Sequence, residues 1–196
     1  MKKVLLFLPK GFEHMETGVF IDVLGWARTR FNHDIQLVTA GFKREVGSTF
    51  NVPIVVDKLY EEIENTAEEF DAIAIPGGFW DFGFFEEAFD ERFLDLVRAF
   101  ESKGKIVASI CVAAIALGKS GILKGRRATT YHLDGGKRHD ELRSYGAVVV
   151  MEPVVVDRKV ITSYCPETAA HVAFKLLEML TTPEQTLEVK KAMGYA

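Results

Sequence analysis

Short, wholly apolar runs alternate along the chain with stretches in which apolar residues recur every three or four positions. Val4-Leu5-Leu6-Phe7-Leu8 is continuously apolar, as expected of a strand covered on both faces. From Glu16 to Phe31, the residues Phe20, Val23, Leu24, Ala27 and Phe31 keep helical spacing, which predicts an amphipathic helix. DIQLVTA (34–40) reads as a second strand ended by Gly41, and 42–57 as short β-like pieces. The acidic run from Glu61 to Glu69 reads as a solvated helix face. DAIAIPGG (71–78) predicts a strand running into a Gly-Gly turn, and 87–102 an amphipathic helix through Phe89, Phe93, Leu96, Val97 and Phe100. KIVASI (105–110) is another buried strand, followed by a small-residue helix over 111–121 closed by glycine. AVVVM and EPVVVDRKVITS predict further strands, with a turn at Asp157-Arg158. Pro166 suits the first turn of a long helix, whose buried stripe is Ala170, Ala173, Leu177 and Leu180. The tail 183–193 predicts a short helix.

This recurring β-then-α order predicts a mostly parallel sheet with helices on both faces. No linker or repeat divides the chain, so one domain over 1–196 is expected. In such sheets ligands bind beyond the C-terminal ends of the strands. The loops after 4–9, 71–76 and 105–110 therefore carry the candidate chemistry.

Composition narrows the function classes. With 48% hydrophobic and 27% charged residues among 196, the chain can bury a full core. A net charge of −4 provides no general attraction for nucleic acid or an anionic membrane. Two cysteines, Cys111 and Cys165, do not make a disulfide framework, and a reducing cytoplasm is expected. The apolar run 4–9 is too short for a signal h-region, and no run approaches the roughly 20 residues of a membrane span. No phosphate loop or dinucleotide fingerprint appears. His14, His33, His139 and His171 lack metal-ligand spacing, so neither metal nor cofactor is expected.

Three loops converge on one spot. Cys111 stands where a buried strand runs directly into a small-residue helix, the setting of a nucleophile elbow. The helix N-terminus is expected to lower its pKa. Cys165, ahead of Pro166, lacks that setting and reads as structural. In the first loop Glu13 and Glu16 both read as helix-start caps, or as a carboxyl leaning over Cys111. In the third, the amides of Gly77 and Gly78, with that of Val112, are candidates for an oxyanion hole. The aromatic segment Phe79–Phe85 reads either as core or dimer packing or as an apolar lid over Cys111. Lys124, Arg126, Arg127, Lys137 and Arg138 read as a solvated turn or an anion patch.

LPKGFEHMET, IPGG, ASIC, GILKGRRATTYH and VITSYCPETA follow one another in an order and spacing that resembles the DJ-1/PfpI (ThiJ/PfpI) superfamily across nearly the whole chain. The resemblance implies a flavodoxin-like three-layer α/β/α sandwich, similar to class I glutamine amidotransferases, and a homodimer. It also implies Cys111 as the reactive cysteine, Glu16 rather than Glu13 as the glutamate beside it, and Gly77 and Gly78 as the amide pair. Peptidase-like branches carry a histidine directly after the cysteine. Val112 stands there instead, which argues against intrinsic peptidase activity. Where some members place a histidine facing the cysteine, this chain has Tyr131, with His132 next. Tyr131 is the candidate donor to substrate, because His132 would point to the opposite face if 128–131 is a strand. The implied function is a cysteine-dependent hydrolase or lyase for small molecules, with glyoxalase- or deglycase-like action on reactive carbonyls. The alternative is a non-catalytic redox-sensing or chaperone-like protective protein that uses an oxidisable Cys111.

Overall fold

The structure is a computed structural model that describes residues 1–63 and 66–196. The elements run β1 (Lys2–Phe7), α1 (His14–Phe31), β2 (Ile35–Gly41), β3 (Glu45–Val46), β4 (Ile54–Val55), β5 (Lys58–Leu59) and β6 (Ala72–Ile75). They continue through α2 (Phe84–Ala88), α3 (Glu91–Ser102), β7 (Ile106–Ser109), α4 (Ala113–Ser120), β8 (Arg127–Ala128) and α5 (Lys137–Ser144). The chain closes with β9 (Val148–Val149), β10 (Val154–Asp157), β11 (Val160–Ser163), α6 (Ala169–Leu180) and α7 (Pro183–Ala192).

Seven strands form the central sheet in the order β10-β11-β7-β6-β1-β2-β5. All neighbours are parallel except β10 and β11, which pair antiparallel across the left-handed turn residue Arg158. All residues of β6 and β7 are buried, which explains why they read as unbroken apolar runs rather than alternating ones. Helices α1, α6 and α7 pack together as one layer, and α2, α3 and α4 as the other. The result is a three-layer α/β sandwich. Among the described residues no helix is long and apolar enough to cross a membrane.

Three local readings are corrected. The helix expected over 87–102 is two helices, broken at Phe89-Asp90, where the Asp90 carboxylate accepts from the Arg92 amide and starts α3. Aspartate at that position competes for the backbone and favours a cap over a helix interior. The acidic run forms single 3₁₀ turns at Tyr60–Glu62 and Ala67–Glu69 rather than a helix face; Glu64 and Asn65 lie outside the described residues. The strand through 128–131 ends at Ala128, so alternation across a strand does not decide where His132 points.

Candidate active site

The first strand ends at a loop that starts α1, and this loop separates the two candidate glutamates. Glu13 is the N-cap residue: its carboxylate accepts from the Met15 amide and from the Thr49 hydroxyl. Glu16 lies one turn further in, on the buried stripe with Phe20, Val23 and Leu24, and is wholly inaccessible to solvent. Its Oε2 accepts the Gly77 amide at 2.6 Å. Its Oε1 is buried with no well-formed partner. The Cys111 thiol also interacts with the Glu16 carboxyl.

Cys111 sits between β7 and α4 with φ 57°. A left-handed backbone is unusual for a side-chain-bearing residue and costs of order 1 kcal/mol. Neighbours on both sides hold it there. The Cys111 amide donates to the Ser163 carbonyl at 3.1 Å, and the buried Thr130 hydroxyl donates to the Cys111 carbonyl at 2.9 Å. The elbow thus turns the thiol toward Glu16 while β11 and the loop after β8 fix its backbone.

The Gly-Gly turn closes the third side. A Cβ on Gly77 would lie 2.9 Å from Glu16 Oε2 and 3.0 Å from Cys111 Cβ; one on Gly78 would lie 2.2 Å from the Gly11 carbonyl oxygen. The protein's own packing requires both glycines. The amide of Gly77 is spent on Glu16, so it does not join an oxyanion hole. Gly78 faces Phe12 in a narrow antiparallel bridge, with Glu13 and Phe79 making the flanking hydrogen bonds. Among the described residues the Gly78 amide has no acceptor, and Gly78 lines the cavity. The Val112 amide donates to the Cys111 sulfur.

Electrostatics differ from the sequence expectation. Burial raises the Glu16 carboxyl from an ordinary 4.5 to about 8, against the pull of the Gly77 amide. Burial is also the largest influence on the Cys111 thiol and raises it; charge on Glu16 raises it further, and the Val112 amide only partly offsets this. The lowered thiol pKa expected from the helix N-terminus is therefore corrected. α4 brings one amide to the sulfur, and desolvation outweighs it. The thiol and the carboxyl titrate as a coupled pair, in which the carboxyl is the first to lose its proton.

A cavity of about 440 Å³ opens over the thiol. Phe79, Trp80 and Phe85 wall one side, while Phe84 is fully buried in the core. The aromatic segment is thus divided between wall and core. Tyr131 lines the cavity, and burial raises its hydroxyl above the usual value. Two lining residues were missed or undervalued in the sequence. Arg138 reaches the cavity from α5, stacked 4.7 Å over the Phe85 ring and paired with Glu141. Cys165 also lines it, with its sulfur 3.5 Å from His132 Nδ1. Of the remaining basic candidates, Arg126 pairs with Glu101 and Arg127 with Glu152. Their charges are met locally, and an anion patch is not formed from them. Among the described residues no three His, Cys, Asp or Glu side chains gather as a metal site.

Fold and site together define a three-layer α/β protein with a strained cysteine on a strand-to-helix turn, facing a buried glutamate. Residues 2–179 match the family model described as the DJ-1/PfpI family, and the chain belongs to that family. Protein DJ-1alpha of Drosophila melanogaster is 34% identical over 200 residues, covering 98% of this chain and 83% of that protein. A protein named as a deglycase in Pyrococcus abyssi (strain GE5 / Orsay) is 35% identical over 136 residues, covering 67% of this chain and 74% of its own. The crystal structure of Drosophila melanogaster DJ-1beta superposes with a TM-score of 0.86 at 30% identity, covering 100% of this chain and 98% of that one.

Proposed function

We propose that the protein is a cysteine-dependent enzyme for small electrophiles, with reactive carbonyl compounds as the substrate class. The observation that carries this reading is the pairing of a strained Cys111 with a Glu16 whose carboxyl is poised at about 8. A base is most useful when its pKa lies near the working pH. At pH 7 about a tenth of Glu16 is ionised. In that form it accepts the thiol proton as Cys111 Sγ attacks the carbonyl carbon, so a full thiolate need not wait in a buried site. The C–S bond forms as the carbonyl π pair moves onto oxygen. The Gly78 amide, which has no acceptor among the described residues and belongs to a residue lining the cavity, donates to that oxyanion. Tyr131, which also lines the cavity, serves as a donor to the same substrate. Glu16-H then returns its proton to that oxyanion, which gives a neutral hemithioacetal. For an α-oxoaldehyde the former aldehyde C–H proton shifts to the neighbouring carbonyl carbon through an enediol, and water displaces Cys111 Sγ from the resulting thioester, releasing a 2-hydroxy acid and the thiol. The deglycase among the relatives supports this substrate class.

The test is consumption of a small α-oxoaldehyde by the purified chain, followed by proton NMR. Cys111→Ala should reduce turnover to the uncatalysed rate, and Glu16→Gln should lower it by about 100-fold or more, the contribution expected of a positioned base. Undiminished turnover by Cys111→Ala overturns the proposal. The same proposal includes a homodimer, for which light scattering should give twice the 21.9 kDa chain mass; a monomer mass removes that part.

A further inference from the structure

The mechanism above leaves one buried nucleophile in the cavity unused. Cys165 is buried, free and on the wall of the cavity that holds Cys111. The strands that deliver the two residues are neighbours: β7 and β11 run parallel with Ala108 opposite Ile161. That register is extended by the hydrogen bond from the Cys111 amide to the Ser163 carbonyl. Carried forward, that register sets Tyr164 opposite Cys111, so Cys165 stands one residue beyond the position opposite Cys111, across a strand spacing of about 4.8 Å. A disulfide needs Cα atoms about 4.4–6.8 Å apart, a separation this placement can provide. Charge on Cys165 also acts on the Cys111 thiol.

Cys165 has its own base. His132 Nδ1 lies 3.5 Å from Cys165 Sγ, and the His132 amide donates to the same sulfur. The imidazole is held by stacking on Tyr164 at 4.1 Å between ring centroids. A thiol with a base in contact can pass its proton directly to nitrogen, which offsets the burial that otherwise keeps it neutral.

We propose that Cys165 is the resolving thiol of Cys111, and that oxidation by a peroxide closes a Cys111–Cys165 disulfide across the cavity floor. The inference rests on the reading of Cys111 as a reactive thiol. In the first step Cys111 Sγ attacks one peroxide oxygen as Glu16 takes the thiol proton. An S–O bond forms and the O–O bond breaks. The departing oxygen takes the proton from Glu16-H, leaving Cys111 sulfenic acid and one water or alcohol. In the second step His132 Nδ1 takes the Cys165 proton, and Cys165 Sγ attacks Cys111 Sγ. The S–S bond forms, the S–O bond breaks, and the hydroxide leaves as water with the proton from His132. Two thiols have lost two electrons, and one peroxide has gained them. An external thiol reverses the change by exchange. Without this step the sulfenic acid remains open to further, irreversible oxidation.

The experiment treats the full-length protein with one equivalent of tert-butyl hydroperoxide, blocks remaining thiols with N-ethylmaleimide under denaturing conditions, and maps the peptides by mass spectrometry. The expected wild-type product has lost two hydrogens, binds no maleimide, and yields a Cys111–Cys165 cross-linked peptide that dithiothreitol releases. Cys165→Ser should stop at one added oxygen on Cys111, trapped by dimedone, and proceed to two with more peroxide. His132→Gln should form the sulfenic acid at the wild-type rate and close the disulfide roughly 100-fold more slowly. Wild-type Cys111 that gains oxygen while Cys165 stays fully alkylatable overturns this inference and leaves the proposed enzyme standing. Wild-type protein that comes through peroxide with no added oxygen, no loss of hydrogen and no cross-linked peptide, and whose Cys111 also resists maleimide before denaturation, overturns both.

Discussion

Glu16 and Cys111 share one buried site, and the shared burial sets how both titrate. Glu16 binds its proton more tightly in the folded chain than in the unfolded one, about 8 against 4.5. The native state therefore holds more protons between those values, and stability falls as pH rises through that window. Melting temperatures taken from pH 5 to pH 8 should decline for the wild type and stay flatter for Glu16→Gln. Reactivity should move the other way. Alkylation of Cys111 by iodoacetamide should rise with a midpoint near 8 as Glu16 becomes able to accept the thiol proton. Glu16→Gln should lose that step and react only at higher pH, where burial has placed the thiol. Thr130 acts on the same atoms from behind, through its bond to the Cys111 carbonyl. Thr130→Val, which keeps the shape and removes the donor, should cost about 1 kcal/mol in chemical denaturation and slow Cys111 alkylation by loosening the elbow. Nothing in the stretch ATTYH identified Thr130, because a threonine hydroxyl that caps a distant carbonyl looks like any other strand threonine.

The turn β6–Gly77–Gly78 and the elbow β7–α4 are the elements that make the site, and they are built against each other. Gly-Gly read as a backbone made ready for a ligand. The structure gives a different reason: Gly77 lets Glu16 and Cys111 meet, and Gly78 lets the turn pass beside the Gly11 carbonyl. Gly78→Ala places a methyl group against fixed backbone, and should destabilise by about 1–3 kcal/mol in urea unfolding. Gly77→Ala meets the Ile110 carbonyl oxygen at 2.9 Å as well as Glu16 and Cys111, so it should both destabilise and displace Glu16, shifting the alkylation midpoint. Strand and helix types were legible because β1, β6 and β7 are buried on both faces and α1 carries an apolar stripe. Ends were less so. The break at Asp90 and the end of β8 at Ala128 depend on one capping carboxylate and on which strand lies alongside, and neither is a matter of periodicity.

Across the molecule, the sheet order brings together the loops after β1, β6, β7 and β11, which are far apart in the chain. The alternation of apolar runs and amphipathic stretches was enough for the class of fold, since only helices on both sides can cover strands so uniformly apolar. It was also enough to mark the elbow cysteine, because a buried strand that passes straight into a small-residue helix leaves its junction residue at the sheet edge. Tertiary packing decided the rest. The family resemblance already points to Glu16 over Glu13, but the physical reason, one turn of helix rotation that leaves Glu13 as the cap and turns Glu16 to Gly77, is tertiary. The direction of the Cys111 pKa depends on how much water the surrounding residues exclude, a quantity set by three loops at once. The meeting of Cys165 and His132 in the same cavity depends on strand register and on where β8 ends. Local spacing specifies which residues lie along one element. The distances between elements, and so the charges and proton transfers of the site, exist only once the sheet is assembled.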